Sequence, residues 1–228
     1  GMIVDTRFRS CKSSERDAAK DMIESFDAEK YGKPVFIMDR GYPSAELIDT
    51  IIRAGHKFVM RCPTEFLRSM KLPKRDNVLS HKFAKLKEKV DIRVVKVTLP
   101  TGDTEYLATN LFDSDLKEDD FSDLYRTRWG IETKYNDIKN KLEIENFTGY
   151  TPDAILQDFY ATMFLANLAG VLEFELHDEI EAAHNSPEKK YEYRMNRNRT
   201  ISELKRTVVE MIATRSKAKR MKLFLEMQ

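Results

Sequence analysis

The first 62 residues alternate between short apolar runs and segments in which apolar side chains recur at helical spacing. The runs at residues 3–8, 35–38 and 57–62 predict strands, because each is short and rich in apolar side chains. Residues 14–29 and 44–54 repeat apolar positions every three or four residues, which predicts helices. This βαβαβ order indicates parallel strands with right-handed crossovers, and therefore an α/β fold.

Residues 63–120 depart from that alternation. Residues 91–98 alternate in strand fashion, residues 100–103 indicate a turn, and residues 104–111 predict the return strand. We therefore expect a β-rich segment here, which ends in an acidic linker or helix start at residues 113–123.

The last third of the chain is predicted to be helical. Residues 152–180 predict one long helix, Ser186-Pro187 indicates a break, and residues 201–212 return to helical spacing. Core packing is favoured over a groove for a partner helix as the use of the apolar stripe on the long helix. That stripe consists of Phe159, Tyr160, Met163, Phe164, Leu165, Leu168, Val171, Leu172 and Phe174.

A charged segment carries Arg128, Glu132 and Lys139 at spacings that a single α-helix would align. On such a helix these side chains share one sector, with Tyr125 at its margin. The stripe beside that sector consists of Leu124, Ile131, Ile138 and Leu142. A phosphate-binding face and a solvated face with i,i+4 ion pairs both fit this pattern.

Asp39 ends the apolar run at residues 35–38 and is followed by Arg40 and Gly41. In open α/β sheets, functional groups collect beyond the carboxyl ends of the strands. An Asp before a Gly is also a common turn former. Asp39 is therefore a candidate site residue or a turn residue.

These two motifs together resemble the insertion-sequence-4 family of DDE transposases. The order Tyr125, Arg128, Glu132 and Lys139 resembles the Tyr-Arg-Glu-Lys signature of that family, and the string that begins at Asp39 resembles the segment of its second catalytic acid. The resemblance implies a ribonuclease H-like core in which Asp39 and Glu132 are catalytic acids and metal ligands.

The resemblance also implies a divalent-metal reaction on DNA. Carboxylate oxygens suit Mg²⁺ or Mn²⁺. Tyr125, Arg128 and Lys139 would hold DNA phosphates, and Arg40 is a further DNA-binding candidate. Trp129 is another candidate, for stacking on a base, although a lone indole beside an apolar stripe more often packs in a core.

The family's first catalytic Asp lies upstream of the strand that residues 3–8 resemble, so Asp5 is not that acid. We therefore expect a core that is incomplete at its N-terminus and a fragment that is inactive alone. The predicted parts are a core at 2–62 and 121–186, a β-rich insertion at 63–120 and a basic helical segment at 187–228.

In the ribonuclease H-like order that the resemblance implies, two missing strands would lie between residues 3–8 and 35–38. Their loss would leave each of these strands with a bare edge, and bare edges invite pairing. Three arrangements remain open for the edge of the strand at residues 35–38. Residues 3–8 could pair with it directly, a second chain could cover it in a homodimer, or residues 3–8 could be displaced from the sheet.

Charge is unevenly distributed in a chain whose net charge is only +1. Residues 187–228 hold 12 Lys or Arg against five Glu, which favours either phosphate binding or a solubilising tail. The cluster includes Lys189, Lys190, Arg194, Arg197, Arg199, Lys205 and Arg206.

Other features narrow the class of protein. Cys11, Cys62 and the four histidines show no zinc-ligand spacing, so both thiols are expected to be reduced and packed. No apolar run approaches the about 18 residues that a membrane span requires, so we expect a cytoplasmic protein with no membrane partner.

Three functions follow from these patterns. The first is a transposase catalytic-domain fragment that, when complete, cleaves transposon-end DNA and transfers the strand to target DNA. The second is a ribonuclease H-like nuclease without strand transfer. The third is a non-catalytic remnant that binds DNA or other subunits.

Overall fold

The structure is a computed structural model that describes residues 2–69, 76–82, 89–98, 102–184 and 196–225. The predicted break at Ser186-Pro187, part of the predicted turn at 100–103, and Lys189, Lys190 and Arg194 lie outside these residues. The chain forms two compact units. One contains Asp5–Trp129, and the other contains Gly1–Val4 together with Gly130–Gln228.

The first unit is built on a five-stranded mixed sheet in the order β1-β2-β5-β4-β3. β1 (Val35–Met38) is parallel to β2 (Lys57–Arg61), and β5 (Thr104–Thr109) pairs antiparallel with β2. β4 (Val90–Thr98) lies between β5 and β3 (Asn77–His81) and is antiparallel to both. The predicted α/β class is confirmed, and the architecture is consistent with a ribonuclease H-like domain.

The β1–α3–β2 crossover follows the sequence prediction closely. Ser44 begins helix α3 (Ala45–Arg53) by accepting a hydrogen bond from the Leu47 amide at 3.2 Å. Strand pairing sets Val35 beside Lys57 and Met38 beside Met60. The core on this face of the sheet includes Leu47, Ile48, Ile51, Phe58 and Met60.

The predicted strand at residues 3–8 is wrong, because these residues form no strand and do not pair with the sheet. The Ile3 amide instead donates to Asn167 Oδ1 at 2.6 Å, and Asn167 Nδ2 donates to the Ile3 carbonyl at 2.8 Å. Polar residues from Asp5 to Arg7 interrupt the apolar alternation that a buried strand needs. Among the described residues, β1 therefore pairs on one side only.

The predicted helix at residues 14–29 divides into α1 (Glu15–Glu24) and α2 (Ala28–Tyr31). Ser14 caps α1 as predicted, since its hydroxyl accepts from the Asp17 amide at 3.4 Å. Asp27 causes the division, because its carboxylate accepts from two backbone amides and begins a second helix.

The middle segment contains α4 (Thr64–Ser69), β3, β4 and β5. The strands predicted at 91–98 and 104–111 are confirmed as β4 and β5, whereas β3 was not predicted. The Arg93 guanidinium joins β4 to the start of α5 (Glu118–Arg126). It bonds the carbonyls of Asp113 and Leu116 at 2.9 and 3.0 Å and lies 5.0 Å over the Phe121 ring.

The second unit is helical. Helix α6 (Trp129–Asn136) continues into a π-helical segment at Asp137–Lys141, and α7 (Pro152–Glu175) follows. The remaining helices are α8 (His177–His184), α9 (Arg197–Ala213) and α10 (Lys217–Leu225). The buried core of this unit comprises Ile138, Leu142, Phe159, Met163, Ala166 and Ile201.

The apolar stripe on α7 is only partly buried. Phe159, Met163 and Leu172 are buried as predicted, whereas Phe164 and Phe174 are exposed. Among the described residues, α7 is one helix whose length and hydropathy would allow it to cross a membrane. Core helices of soluble proteins meet the same criterion, so this is weak evidence for a membrane segment.

Candidate active site

Asp39 lies directly after β1, where a tight turn fixes its carboxylate. Oδ1 accepts a hydrogen bond from the Gly41 amide at 2.8 Å, and the Tyr42 amide donates to the Asp39 carbonyl at 3.3 Å. A Cβ added to Gly41 would lie 3.1 Å from Asp39 Oδ1, closer than most real contacts. A side chain at position 41 would therefore require the Asp39 carboxylate to shift by a few tenths of an ångström. Asp39 is thus both a turn former and a carboxylate presented at the carboxyl end of a strand.

Helix α1 supports the same turn from a distant part of the sequence. Arg16 Nε donates to the Gly41 carbonyl at 2.8 Å. The turn is therefore held both by its own Asp39–Gly41 hydrogen bond and by a side chain of α1. Sequence patterns did not identify Arg16 as a site residue. The contact joins positions 25 residues apart, and no local periodicity reports it.

Arg61 is a second residue that the sequence patterns missed. Arg61 is the last residue of β2, one position beyond Met60, which pairs with Met38 of the parallel strand β1. Arg61 Nε donates to Glu105 Oε2 at 2.6 Å, and its Nη2 pairs with Glu105 Oε1. The position of Arg61 at the end of β2, at the same sheet edge as Asp39, was a usable signal.

Tyr125 lies on α5 with only 5% of its surface exposed. Its hydroxyl oxygen is buried, and no described residue forms a hydrogen bond of good geometry with it. Burial raises the pKa of this hydroxyl, the nearby Arg128 and Arg61 guanidiniums oppose the rise, and the Asp39 carboxylate adds to it. The charges of Asp39, Arg61 and Arg128 therefore all act on the Tyr125 hydroxyl.

Arg128 lies between two aromatic rings. Its guanidinium carbon is 5.6 Å from the Tyr125 ring centroid and 5.4 Å from that of Trp129. Trp129 is 59% exposed, so the interpretation of this indole as a core residue is wrong. Its surface is available for stacking, and the flat guanidinium beside it suits aromatic contact.

The prediction of one continuous α-helix across residues 125–139 is wrong. Helix α5 ends at Arg126, residues 127–128 form a turn, and α6 begins at Trp129. The Thr127 hydroxyl donates to the Leu124 carbonyl at 2.7 Å, and the Arg128 amide bonds the Tyr125 carbonyl, so local bonds replace the α-helical ladder. The apolar stripe beside the charged sector is also only partly buried: Ile138 and Leu142 are buried, whereas Ile131 is exposed.

Glu132 and Lys139 belong to the second unit. Glu132 lies in the first turn of α6, and Lys139 lies in the π-helical segment, where its Nζ is 3.1 Å from Glu145 Oε1. Both partners of that pair are largely exposed, so the pair contributes little to stability. Arg40 is also exposed. Convergence of Asp39 with Glu132 stays a prediction.

The donor types at Asp39 and Glu132 fit a hard divalent ion. Gly41 occupies one lone pair of Asp39 Oδ1, which leaves other carboxylate lone pairs for a ligand. Among the described residues, no group of three or more His, Cys, Asp or Glu side chains could hold a metal. Each acid by itself therefore offers oxygen donors of the kind that Mg²⁺ or Mn²⁺ prefers.

Comparison with known proteins decides the family. Residues 1–168 match the family model described as "Transposase DDE domain". This chain belongs to the DDE transposase family. It is 26% identical over 182 residues to "Transposase InsG for insertion sequence element IS4" of Escherichia coli strain K12, which supports membership of the insertion-sequence-4 group.

That alignment covers 73% of this chain and 40% of the relative, so the chain spans less than half of the relative's length. The region matched by the DDE transposase model includes Asp39, Tyr125, Arg128, Glu132 and Lys139. The roles of these individual residues are proposals, developed below.

Proposed function

We propose that this chain supplies part of a transposase catalytic core, with Asp39 and Glu132 as two of its catalytic acids. The observation that carries this proposal is the neighbourhood of Asp39. The Asp39 carboxylate is fixed at a strand end, and it lies close enough to Tyr125, as the Arg61 and Arg128 guanidiniums do, to shift the pKa of the Tyr125 hydroxyl. A carboxylate for a metal and cations for a phosphate are the two components that phosphodiester cleavage needs.

Asp39 and Glu132 are the residues that would hold Mg²⁺ or Mn²⁺. Such ions make a water or 3′-hydroxyl more acidic and neutralise the charge on the leaving oxygen. The role of the turn at Gly41 is to keep the Asp39 carboxylate at one orientation before any ion binds. Preformed ligands are favoured because Mg²⁺ gives up its water shell reluctantly.

Tyr125 and Arg128 are proposed to hold a DNA phosphate. The Tyr125 hydroxyl is buried in the chain without DNA, so its proposed donation to a phosphate oxygen requires the side chains that cover it to move. Arg128 can offer two parallel N–H groups to the same phosphate. The exposed side chains of Arg40, Lys139 and Trp129 are proposed as further DNA contacts.

The C-terminal helices are proposed to add sequence-independent affinity, with a smaller set of cations than the sequence indicated. Arg197 is held by Asp137 and Glu173, and Arg206 by Glu203 at 2.7 Å. Exposed cations remain on α9, on α10 and in the turn between them, including Arg199, Arg215, Lys217 and Arg220. These four residues are the ones we propose for phosphate contact.

A second candidate function is DNA binding without cleavage. It is favoured by the observation that the described residues contain no cluster of three metal-ligating side chains. Two carboxylates give few fixed ligands, so this chain alone is proposed to bind Mg²⁺ weakly. A ribonuclease H-like nuclease differs from both candidates, because it would cleave but would not join strands.

Incubation of the full chain with supercoiled DNA and Mg²⁺ or Mn²⁺ separates these candidates. DNA binding that weakens with salt, without nicking, is expected for the chain alone. Nicking that Glu132→Gln abolishes would show a complete catalytic site instead. Strand joining in an assay with paired DNA ends would separate a transposase from a nuclease. Absence of any DNA binding would contradict the proposal.

A further inference from the structure

The helix that carries Glu132 is not fixed by apolar packing of its own. None of the residues in α6 is buried, and Ile131 and Tyr135 are 50% and 63% exposed. Burial begins only in the π-helical segment, at Asp137 and Ile138. Something other than a hydrophobic stripe must therefore set the rotation of α6 about its axis.

Polar side chains hold this segment to its own unit. Lys134 Nζ donates to the Ala166 carbonyl of α7 at 2.8 Å. The Asp137 carboxylate is only 6% exposed, and Lys141 Nζ lies 2.6 Å from its Oδ1. Arg197, the first residue of α9, approaches the other oxygen, with Nη1 at 3.0 Å from Asp137 Oδ2.

Arg197 also binds α7, so one side chain joins three elements. Its Nε and Nη2 lie 3.0 and 2.6 Å from Glu173 Oε1, and Nη2 lies 2.7 Å from Oε2. The five donors of a guanidinium allow these bonds and the Asp137 bond together, whereas a lysine ammonium has no comparable fork. Burial lowers the pKa of the neighbouring Lys134, and Arg197 lowers it further, so these cations share one confined site.

The π-helical turn begins at the residue that Arg197 holds. The Asp137 carbonyl accepts from the Leu142 amide at 2.9 Å, a bond across five residues that defines the wider turn. Lys139 lies inside this turn, and Glu132 lies one and a half turns before it. The Arg197–Asp137 pair is therefore placed to fix the angular offset between Glu132 and Lys139.

We propose that Arg197 is a positioning residue that clamps the Glu132 and Lys139 segment to α7 through Asp137 and Glu173. The sequence alone placed Arg197 among the phosphate-binding cations of the basic C-terminal segment. In the structure its guanidinium is committed to two carboxylates, so it acts on DNA through Lys139 and not by direct contact. This inference rests on the proposed role of Glu132 and Lys139, but the clamp has its own readout.

The first test is hydrogen exchange on the full chain. Arg197→Gln should lower amide protection across residues 131–142 by about tenfold, while β2 and β5 keep theirs. Arg199→Gln is the matched control, because it removes one exposed charge from the same helix. Arg197→Lys keeps the positive charge but lacks the forked donors of a guanidinium. Compared with Arg197→Gln, it should recover more of the wild-type melting temperature than of the amide protection at residues 131–142. Unchanged protection at 131–142 in both Arg197 variants would overturn the clamp.

The second test is a double-mutant cycle on DNA affinity. If Arg197 acts through Lys139, then Arg197→Gln should weaken binding in wild type but have little effect after Lys139→Ala. If Arg197 contacts a phosphate directly, the two effects would add and the salt slope would fall by about 0.9, which would overturn the inference. A wild-type chain that binds no DNA would defeat the proposed function, whereas the exchange result would still decide the clamp.

Discussion

The Asp39 carboxylate and the Gly41 amide are joined by a 2.8 Å hydrogen bond at the end of β1. This bond makes the orientation of a candidate metal ligand depend on the size of a neighbouring residue, since a Cβ at position 41 would lie 3.1 Å from Asp39 Oδ1. Asp39 Oδ1 therefore stabilises the turn and also belongs to the carboxylate that is proposed to bind metal.

Gly41→Ala should therefore weaken Mn²⁺ binding, because Asp39 must shift by a few tenths of an ångström. We expect a loss of stability of about 1 kcal/mol or less, since the strain is confined to one turn. Gly130→Ala is the matched control, because a Cβ there meets nothing within 4 Å. Equal Mn²⁺ affinity in the two variants, measured by titration with electron paramagnetic resonance, would contradict the proposed role of the turn.

Tyr125→Phe should separate stability from DNA binding. The hydroxyl is buried without a hydrogen bond of good geometry from the described residues, so its removal should leave the melting temperature unchanged or raise it. DNA affinity should fall by about fivefold to tenfold, because the variant cannot donate a phosphate hydrogen bond worth about 1 kcal/mol. Tyr160→Phe, at an exposed tyrosine of α7, is the control. Unaltered DNA affinity in Tyr125→Phe would remove this residue from the site.

Alkaline unfolding should report the raised pKa of Tyr125. The folded-state pKa of Tyr125 lies above the unfolded value of about 10. The contribution of the neutral hydroxyl to the free energy of unfolding is therefore fully present below pH 10, and it is lost as the pH rises through the folded-state pKa. The free energy of unfolding should therefore fall less steeply above pH 10 in Tyr125→Phe than in wild type. Parallel curves from denaturant titrations at pH 9 to 11 would count against this burial.

Neutralising the exposed cations of the C-terminal helices should flatten the salt dependence of DNA binding. Arg199, Arg215, Lys217 and Arg220 are better targets than deletion of the segment, because Ile201 and Leu204 are buried and deletion would disturb the core. Removal of each phosphate-binding cation should reduce the slope of log affinity against log salt by about 0.9. An unchanged slope after all four are replaced by Gln would show that the helices only add solubility.

One edge of β1 pairs with no strand in the described part of the chain, and we expect this edge to support association of two chains. Val35→Lys should then shift a dimer towards monomer in sedimentation velocity, because an edge lysine blocks strand pairing. Val78→Lys, on the opposite edge strand β3, is the matched control. A wild-type chain that stays monomeric at high concentration would refute dimerisation through this edge.

Sequence patterns correctly predicted the elements whose positions depend on interactions between residues that are close in the chain. β1 was predicted to the residue, and the helices predicted at residues 14–29 and 44–54 begin at Ser14 and Ser44, which cap α1 and α3. Other predictions failed because contacts with distant residues, or competing local hydrogen bonds, determine the structure there. Asn167, which is distant in sequence, binds the backbone of Ile3 in place of a neighbouring strand.

Some residues of the candidate site could likewise be predicted from the sequence, and others could not. Asp39 and the Tyr125–Lys139 motif were visible because their spacing is fixed along the chain. Arg16 was not visible, because its contact with Gly41 depends on how α1 packs. The helix break at residues 127–128 arises from side-chain and backbone bonds that a pattern at 100° per residue does not contain.

Iron-mediated cleavage of the protein tests the proposal that Asp39 and Glu132 bind the same metal ions. Fe²⁺ can replace Mg²⁺ at carboxylate sites, and with peroxide and ascorbate it cuts the backbone near its ligands. Cuts near both residue 39 and residue 132 are predicted, with both abolished in Asp39→Asn and retained in Asp123→Asn, an exposed acid of α5. Cuts near only one of the two acids, or cuts that survive Asp39→Asn, would contradict the account.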